Sequence, residues 1–169
     1  MKLRKMEPTD LPAFFAVLAS ERIDYYPIDP QSSSAEELQN EFRLLFPHGV
    51  FLVFEQEPRG GCVGYCYAEA VNVKNQNLEF HFGLAPELCH GGDHFVACLA
   101  LCTRYFFRYM NMHMIWSGAF DFESAKREAL VAGGARSVGI LPHALFRDGA
   151  YHDKFMFALV AEDFQPQGA

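Results

Sequence analysis

The sequence lacks the features that mark membrane, secreted and nucleic-acid-binding proteins. It has no apolar run near the roughly 20 residues that cross a bilayer, and its first ten residues, MKLRKMEPTD, contain no apolar signal segment. Positive charge is scarce, because 14 Lys and Arg stand against 21 Asp and Glu, for a net charge of −7. Because nucleic-acid binders usually carry basic patches, we expect no nucleic-acid binding. Because the sequence shows no apolar span and no signal segment, we expect a soluble, cytoplasmic protein that does not bind membranes.

The cysteines lack the spacing of a strong zinc site or of a disulfide framework. There are five, an odd number, and no pair is spaced C-x-x-C. The residues Cys89, His90 and His94 are metal-ligand types without that spacing, so we expect no metal ion. Four cysteines lie within apolar patterns, as reduced and buried thiols do: Cys62, Cys66, Cys98 and Cys102.

Apolar residues are abundant enough for one well-buried core. The 169 residues are 50% hydrophobic and include 17 Phe and 7 Tyr, and a chain of this length favours a single domain. We find no internal repeat, linker or low-complexity segment. The sequence predicts one domain over residues 1–164 and a disordered tail, QPQGA, over residues 165–169.

The first half alternates between strand and helix signals. MKLRKM predicts a strand, and Thr9 or Asp10 could cap a helix that begins near Leu11. Ser34 and Glu37 have capping-box spacing for a second helix, AEELQNEFRLLF. The apolar run VFLVFEQ then predicts a central strand, and CVGYCYAEAVNV predicts the next one.

The segment LEFHFGL alternates strictly and therefore predicts a strand with two different faces. Glu79 and His81 lie on one face. Because the other face is entirely apolar, we expect it to pack in the core and the face of Glu79 and His81 to hold titratable groups. The apolar face consists of Leu78, Phe80, Phe82 and Leu84.

The next segment, ELCHGGDHFVACLALCTRYFF, places adjacent glycines at the start of a long helical pattern. The first turn of a helix offers unpaired N–H groups and a positive dipole end, and glycines allow close approach of an anion. A stripe of apolar residues predicts that this helix is largely buried. The stripe consists of Phe95, Cys98, Cys102, Tyr105, Phe106 and Tyr109, widened by Leu99 and Leu101.

The last third predicts a strand, MHMIWSGAF, a helix, ESAKREALVAGG, ended by glycines, and two strands around an RDGA turn. Together these patterns predict one α/β domain with a mixed sheet. The last strand, YHDKFMFALVAE, is apolar on both faces, which suits burial by a helix or by a second copy in a homodimer.

The order of these elements and motifs resembles the GNAT acyltransferase family. LEFHFGLAPELCHGGDHFVACLA is similar to its AEIGY strand, APE and Arg/Gln-x-x-Gly-x-Gly/Ala loop, and FDFESAK is similar to its N-x-x-S/A segment. RDGAYHDKFMFALV resembles the closing strand of the subgroup that acetylates ribosomal-protein N-termini. The resemblance implies a single-domain GNAT-like α/β fold with a mixed, mostly antiparallel twisted sheet of six to seven strands and about four helices.

The resemblance also implies an acetyl-CoA-dependent N-acyltransferase that acts on a primary amine of a small molecule or a protein N-terminus. It places the pyrophosphate at a loop in which Gly92 matches the family pattern, while Cys89 replaces Arg or Gln and His94 replaces Gly or Ala. The loop consists of Cys89, His90, Gly91, Gly92, Asp93, His94 and Phe95.

The resemblance further implies residue roles in catalysis. Glu79 matches the carboxylate proposed as base in several relatives, and His81 could relay a proton. An N–H near Leu84 and Ala85 would stabilise the oxyanion, and Tyr151 could protonate the CoA thiolate. The remaining expected contacts are Asp121 and Ser124 with CoA, and Tyr25 and Tyr26 with the acceptor.

Other interpretations stay open at this point. Glu79 could merely pair with a neighbouring Lys or Arg, and Ser124 could instead cap the helix that follows it. The departures at Cys89, Asp93 and His94 fit a GNAT-fold binding or regulatory protein without catalysis. Neither the acceptor nor the acyl chain length follows from the sequence.

Overall fold

One mixed seven-stranded sheet organises the chain, with strand order β1-β2-β3-β4-β5-β7-β6. The structure is a computed structural model and describes residues 1–20, 33–45, 48–56, 60–89 and 92–164. The strands are β1 (Lys2–Lys5), β2 (Val50–Glu55), β3 (Cys62–Asn72), β4 (Asn77–Leu84), β5 (Met114–Phe120), β6 (Arg136–Arg147) and β7 (Ala150–Val160). The helices are α1 (Leu11–Ser20), α2 (Ala35–Leu45), α3 (Gly92–Arg104) and α4 (Ser124–Ala132). The predicted α/β architecture and element order are confirmed.

The starts of the first two helices differ from each other in how well the sequence predicts them. The capping box of α2 is confirmed, because Ser34 N–H donates to Glu37 Oε2 at 2.6 Å and Glu37 N–H donates to Ser34 Oγ at 3.2 Å. The predicted cap of α1 is wrong. A 3₁₀ turn over Pro8–Asp10 leads directly into α1, and the Asp10 carboxylate accepts the N–H of Glu7 instead.

Two apolar clusters cover the two faces of the sheet. As predicted, the apolar face of β4 packs in one of them. Its residues Leu78, Phe80, Phe82 and Leu84 are at most 1% exposed and pack under α3 and α4. On the opposite face, α1 and α2 pack against Tyr65 and Tyr67 of β3. Glu79 and His81 lie on this second face and are half-buried. The alternation in the sequence therefore separates buried apolar positions from titratable ones.

The C-terminal end of α3 departs from the predicted apolar stripe. Tyr105–Tyr109 forms a π-helical turn, in which each residue advances by a smaller angle than in an α-helix. The phase of the stripe shifts there, and Tyr109 is 72% exposed although Phe106 is fully buried. The prediction that Tyr109 belongs to the core face is therefore wrong.

The parallel pair in the sheet, β4 with β5, opens into a gap. Within the described residues, the two strands pair at three positions, Asn77 with Met114, Leu78 with Ile115 and Glu79 with Trp116. Both strands continue beyond these pairs, β4 to Leu84 and β5 to Phe120. We call the unpaired region beyond Glu79 the splay, because the two strands separate there.

The strand β6 forms an edge of the sheet and exposes large apolar side chains. Those of Val138, Ile140, Leu141 and Phe146 are each more than half exposed. Dimerisation through the last strands stays a prediction, as does disorder of residues 165–169, which lie outside the described residues. The five cysteines are free thiols, three of them buried. None of the helices in the described ranges has the length and apolarity needed to cross a membrane.

Candidate active site

The polar face of β4 gathers a cluster of charged groups around Glu79. The register of β3 and β4 pairs Glu69 with Glu79 and Tyr67 with His81. His81 Nε2 lies 2.7 Å from Glu69 Oε1 and 3.4 Å from Glu79 Oε1. Two carboxylates and an imidazole therefore meet at one point, and Glu69 is a member that the sequence reasoning missed.

Aromatic stacking fixes the orientation of the His81 ring. The ring stacks on that of Tyr67, with centroids 4.6 Å apart and planes 18° apart, and Tyr67 stacks in turn on Phe51 of β2 at 5.7 Å. A carboxylate only accepts hydrogen bonds, so Nε2 donates to Glu69 and the acceptor nitrogen of a neutral imidazole is Nδ1. The stack and the carboxylate together define one tautomer.

A lysine from β7 completes the cluster. Lys154 of β7 is paired with Phe120 of β5. Its side chain crosses β5, and its Nζ lies 3.8 Å from Glu79 Oε1 of β4. Its side chain passes over Gly118, where an added Cβ would lie 2.2 Å from Lys154 Cε. Sequence reasoning missed Lys154 because the residue approaches Glu79 only when β7 pairs beside β5. We call Glu69, Glu79, His81 and Lys154 the β4 cluster.

The two carboxylates of the β4 cluster have opposite electrostatic character. Burial raises the pKa of Glu79, helped by the charge of Glu69, although His81 and Lys154 oppose the rise. The hydrogen bond from His81 lowers the pKa of Glu69. The Glu79 side chain is 14% exposed and that of Glu69 is 46% exposed. Glu79 is thus the stronger base of the two, since its charged form is the less well solvated.

A backbone donor of β4 faces the splay. Ala85 N–H donates to Val63 O of β3 at 2.9 Å, and successive residues of an antiparallel ladder point their N–H groups to opposite sides. The N–H of Leu84 therefore points towards β5, where the two strands have separated. The predicted oxyanion donor is narrowed to Leu84, because the N–H of Ala85 is already engaged.

The start of α3 has the open geometry of an anion site. Gly92 is its first residue, and an added Cβ there would meet no described atom within 4 Å. Asp93 is exposed and His94 half-buried, whereas Phe95 packs its ring 6.0 Å from that of Phe82. The N–H groups of this first turn lack intrahelical partners by construction, so an anion could approach them closely. The predicted contacts at His90 and Gly91 lie outside the described residues.

Cys89 holds the loop before α3 against the end of β4. Its Sγ donates to the carbonyl oxygens of Leu84 at 3.4 Å and Ala85 at 3.5 Å. The thiol therefore serves a local structural contact. On α4, the buried Lys126 places Nζ 5.4 Å from the centroid of Phe82 and 3.2 Å from Glu123 Oε1. The sequence did not predict this buried cation.

Three other predicted site residues make no side-chain hydrogen bond to the β4 cluster within the described part of the chain. The Asp121 carboxylate accepts from His152 Nδ1 at 2.8 Å. Ser124 is exposed as the first residue of α4, and the alternative that it caps this helix is wrong, because the N-cap is Glu123. The Glu123 carboxylate accepts the N–H of Phe120 at 2.7 Å.

The last of these three, Tyr151, lies on the hairpin of β6 and β7. It is 61% exposed, and its ring contacts His143 and Phe146. No hydrogen bond joins it to Glu79 or His81 within the described part of the chain. The predicted substrate contacts Tyr25 and Tyr26 fall outside the described residues.

The β4 cluster also contains the residue types of a metal site. One ligand atom each of Glu69, Glu79 and His81 lies within 4.8 Å of the others. The ammonium of Lys154 beside Glu79 already supplies a positive charge at this point. The expectation that the protein uses no metal ion stays a prediction.

Comparisons with known proteins show the family to which this chain belongs. Residues 1–136 match the family model described as acetyltransferase (GNAT) domain. The spermidine N-acetyltransferase from Vibrio cholerae in complex with CoA and spermine is 20% identical, with a TM-score of 0.79 over 96% of both chains. A chimera of that enzyme, SpeG, with hSSAT is 20% identical, with a TM-score of 0.75 over 95% of this chain and 96% of the other.

Two further findings complete the comparison. A structure described as "Probable acetyltransferase" is 18% identical, with a TM-score of 0.69 over 96% of this chain and 93% of that one. No curated protein sequence matches. The resemblance to the ribosomal-protein subgroup therefore stays a prediction, while the match over most of the chain shows the family. This chain belongs to the GNAT acetyltransferase family, a family of N-acetyltransferases.

Proposed function

We propose that this protein transfers an acetyl group from acetyl-CoA to a primary amine by direct transfer within a ternary complex. The observation that carries the proposal is the position of Glu79. Its carboxylate is half-buried at the start of the splay, and its pKa is raised by burial. A base of this kind matches the need of the reaction, because an amine must lose its proton before it attacks a thioester.

The residues of the β4 cluster divide the work of proton transfer. Glu79 takes a proton from the acceptor ammonium, directly or through water. The neutral amine attacks the thioester carbon, the C–N bond forms and the C–S bond breaks. CoA leaves as a thiolate, which takes up the second proton lost by the amine nitrogen. His81 is held by Glu69 at 2.7 Å and approaches Glu79 through Nε2 at 3.4 Å, and it stays a predicted proton relay. Tyr151 stays a predicted acid, without a contact to this cluster.

Backbone groups supply the binding of the acyl donor. The first turn of α3 offers N–H groups and a positive dipole end to the pyrophosphate. The N–H of Leu84, turned to the splay, would donate to the oxygen that gains charge in the transition state. Gly92 leaves room for such an approach, and Asp121 and Ser124 stay predicted contacts of the CoA arm.

The charge of the β4 cluster supports a cationic acceptor. Glu69 and Glu79 are paired across β3 and β4, and their two negative charges outnumber the one positive charge of Lys154. An ammonium group would therefore be attracted to them. One similar structure, the Vibrio cholerae enzyme, contains spermine together with CoA. We therefore include polyamines among the acceptors, beside protein N-termini as in the ribosomal-protein subgroup, with Tyr25 and Tyr26 as predicted contacts.

Calorimetry with acetyl-CoA, followed by an amine panel, tests the proposal. We expect a Kd in the micromolar range, which corresponds to a binding free energy of about −8 kcal/mol, and CoA release that depends on one amine class. The panel contains spermidine, a monoamine and a peptide with a free N-terminus. Absence of binding at millimolar acetyl-CoA would contradict the proposal and favour a binding or regulatory protein with the same fold.

A further inference from the structure

Lys154 places an amine of the chain itself beside the proposed base. Its Nζ is 3.8 Å from Glu79 Oε1, and its side chain is 21% exposed. The proposed function requires an acceptor amine near this same carboxylate. The ammonium of Lys154 therefore stands close to the position that an acceptor would take.

The path of the side chain explains how it reaches this position. Lys154 lies on β7, and β5 separates β7 from β4. The side chain crosses β5 over Gly118, whose hypothetical Cβ would be 3.2 Å from both Cγ and Cδ of Lys154 as well as 2.2 Å from Cε. A glycine at position 118 thus leaves the space that the aliphatic stem fills. The ammonium ends at the start of the splay, where β4 and β5 separate.

Two other lysines show what distinguishes Lys154. Lys2 is 50% exposed and pairs with Glu55 at 3.1 Å, but hydrogen bonds from Arg4 and Lys2 lower the pKa of Glu55. Lys126 pairs with Glu123 at 3.2 Å but is only 7% exposed. Lys154 combines partial exposure with a carboxylate that is a comparatively strong base and with a position at the splay.

We propose that Lys154 Nζ is a self-acetylation site of this protein. The inference rests on the proposed function, because acetyl-CoA is the donor. The Glu79 carboxylate takes a proton from the Lys154 ammonium, and the neutral amine attacks the thioester carbon. The C–N bond of an acetyl-lysine forms as the C–S bond breaks, and CoA leaves as a thiolate that takes up a proton. No oxidant or reductant is needed.

Acetylation would change the β4 cluster in two ways. A neutral acetamide would replace the ammonium, which removes a positive charge beside Glu79. The added acetyl group would also lie where the acceptor amine must approach. We therefore expect the acetylated protein to turn over more slowly. When acetyl-CoA is present in excess over the acceptor amine, Lys154 is acetylated and the activity falls.

The test is a time course of full-length protein with deuterated acetyl-CoA and no added amine, read by peptide mass spectrometry. Lys2 is the matched control, because it is also paired with a glutamate and is more exposed. We expect the label on Lys154 to form at least about tenfold faster than on Lys2, and Glu79→Gln to slow only the labelling of Lys154, by about tenfold or more. Labelling of Lys154 no faster than Lys2, or unchanged in Glu79→Gln, would overturn the inference.

A second measurement keeps the test independent of folding of the variant. A saturating acceptor amine, taken from the panel, should protect Lys154 of the wild-type protein about tenfold and leave Lys2 unprotected, since both amines need the same base. A protein that acetylates free amines, but gains no label on Lys154 when no amine is added, would overturn this inference and leave the proposed function intact. Absence of acetyl-CoA binding, turnover and label together would overturn both.

Discussion

Two charged clusters of this sheet differ in how completely their carboxylates are held. At the β1 edge, Arg4 Nη1 donates to Asp10 Oδ2 at 2.7 Å, Arg4 Nη2 donates to Asp10 Oδ1 at 2.8 Å, and Arg4 Nε donates to Glu55. In the β4 cluster, Glu79 lies 3.4 Å from His81 Nε2 and 3.8 Å from Lys154 Nζ. We call the group of Arg4, Asp10 and Glu55 the edge cluster.

The difference in geometry produces a difference in basicity. The guanidinium of Arg4 lowers the pKa of Asp10, whereas burial raises the pKa of Glu79. A bidentate arginine pair stabilises the charged carboxylate and keeps it from taking a proton. A carboxylate without such a partner remains available for proton transfer. The edge cluster therefore has the properties of a structural ion pair, and the β4 cluster has those of the proposed base.

Removing the arginine should break the edge cluster with the largest effect on stability. Arg4→Met leaves the buried Asp10 without its bidentate partner, and we expect a loss of about 2–3 kcal/mol in the free energy of unfolding. The estimate allows for Arg4 being 30% exposed. Urea denaturation measures the loss, and turnover per folded molecule should not change. A loss below about 0.5 kcal/mol, the size of an exposed pair, would contradict the role of Asp10.

Acid should separate the two clusters by the sign of their effect on stability. The pKa of Asp10 in the folded state is below its ordinary value of 3.8, so its contribution is present above that value and is lost as the pH falls through the folded pKa. The pKa of Glu79 is above its ordinary value of 4.5, so its contribution is present below that value and is lost as the pH rises through the folded pKa.

Urea denaturation between pH 2 and 7, with Asp10→Asn and Glu79→Gln compared with wild type, measures both contributions. Relative to wild type, the Asp10 variant should lose less stability on acidification. The Glu79 variant should lose less stability as the pH rises. Matching pH curves for all three proteins would show that neither carboxyl group has a shifted pKa.

Displacing Lys154 should alter the β4 cluster with little effect on the fold. In Gly118→Ala the new Cβ meets the flexible end of the lysine, which can move away, so we expect a stability change within about 1 kcal/mol. Loss of the nearby ammonium raises the pKa of Glu79 further, and the acid limb of the pH–rate profile should move to higher pH. Gly139→Ala is the control, because its Cβ would meet no described atom within 4 Å. An acid limb unchanged from wild type would separate Lys154 from Glu79.

The smallest effect is expected at Lys2, which lies outside the edge cluster and pairs with its member Glu55. Lys2 is 50% exposed and lies 3.1 Å from Glu55 Oε1. Because exposed pairs contribute about 0.2–1 kcal/mol, Lys2→Met should lower the free energy of unfolding by no more than that. A loss as large as that of Arg4→Met would show that the edge cluster does not depend on its bidentate arginine pair.

The sequence predicted the face of β4 that holds titratable groups, but only part of the β4 cluster. Strict alternation predicted Glu79 and His81 on one face, since side chains of a strand alternate in direction. Glu69 required the register of β3 against β4, and Lys154 required β7 to pair beside β5. Neither pairing follows from local patterns, because register depends on tertiary contacts.

Backbone irregularities near the site were equally hidden in the sequence. The register of β3 shifts between Glu69 and Asn72, and Ala70 adopts a φ of 49°, a conformation that favours glycine. The predicted N-caps at Thr9, Asp10 and Ser124 failed for a related reason. The sequence does not show at which of several neighbouring residues a helix begins. In the structure a 3₁₀ turn precedes α1, and Glu123 is the N-cap of α4.

Glu79→Gln and Glu55→Gln are compared in turnover of the amine found by the panel. We expect Glu79→Gln to lower kcat by about 100-fold or more, the contribution of a general base, while the Kd for acetyl-CoA is little changed. Glu55→Gln, in the edge cluster, should retain the wild-type kcat per folded molecule. A Glu79→Gln protein that turns over at the wild-type rate would contradict the assignment of chemistry to the β4 cluster.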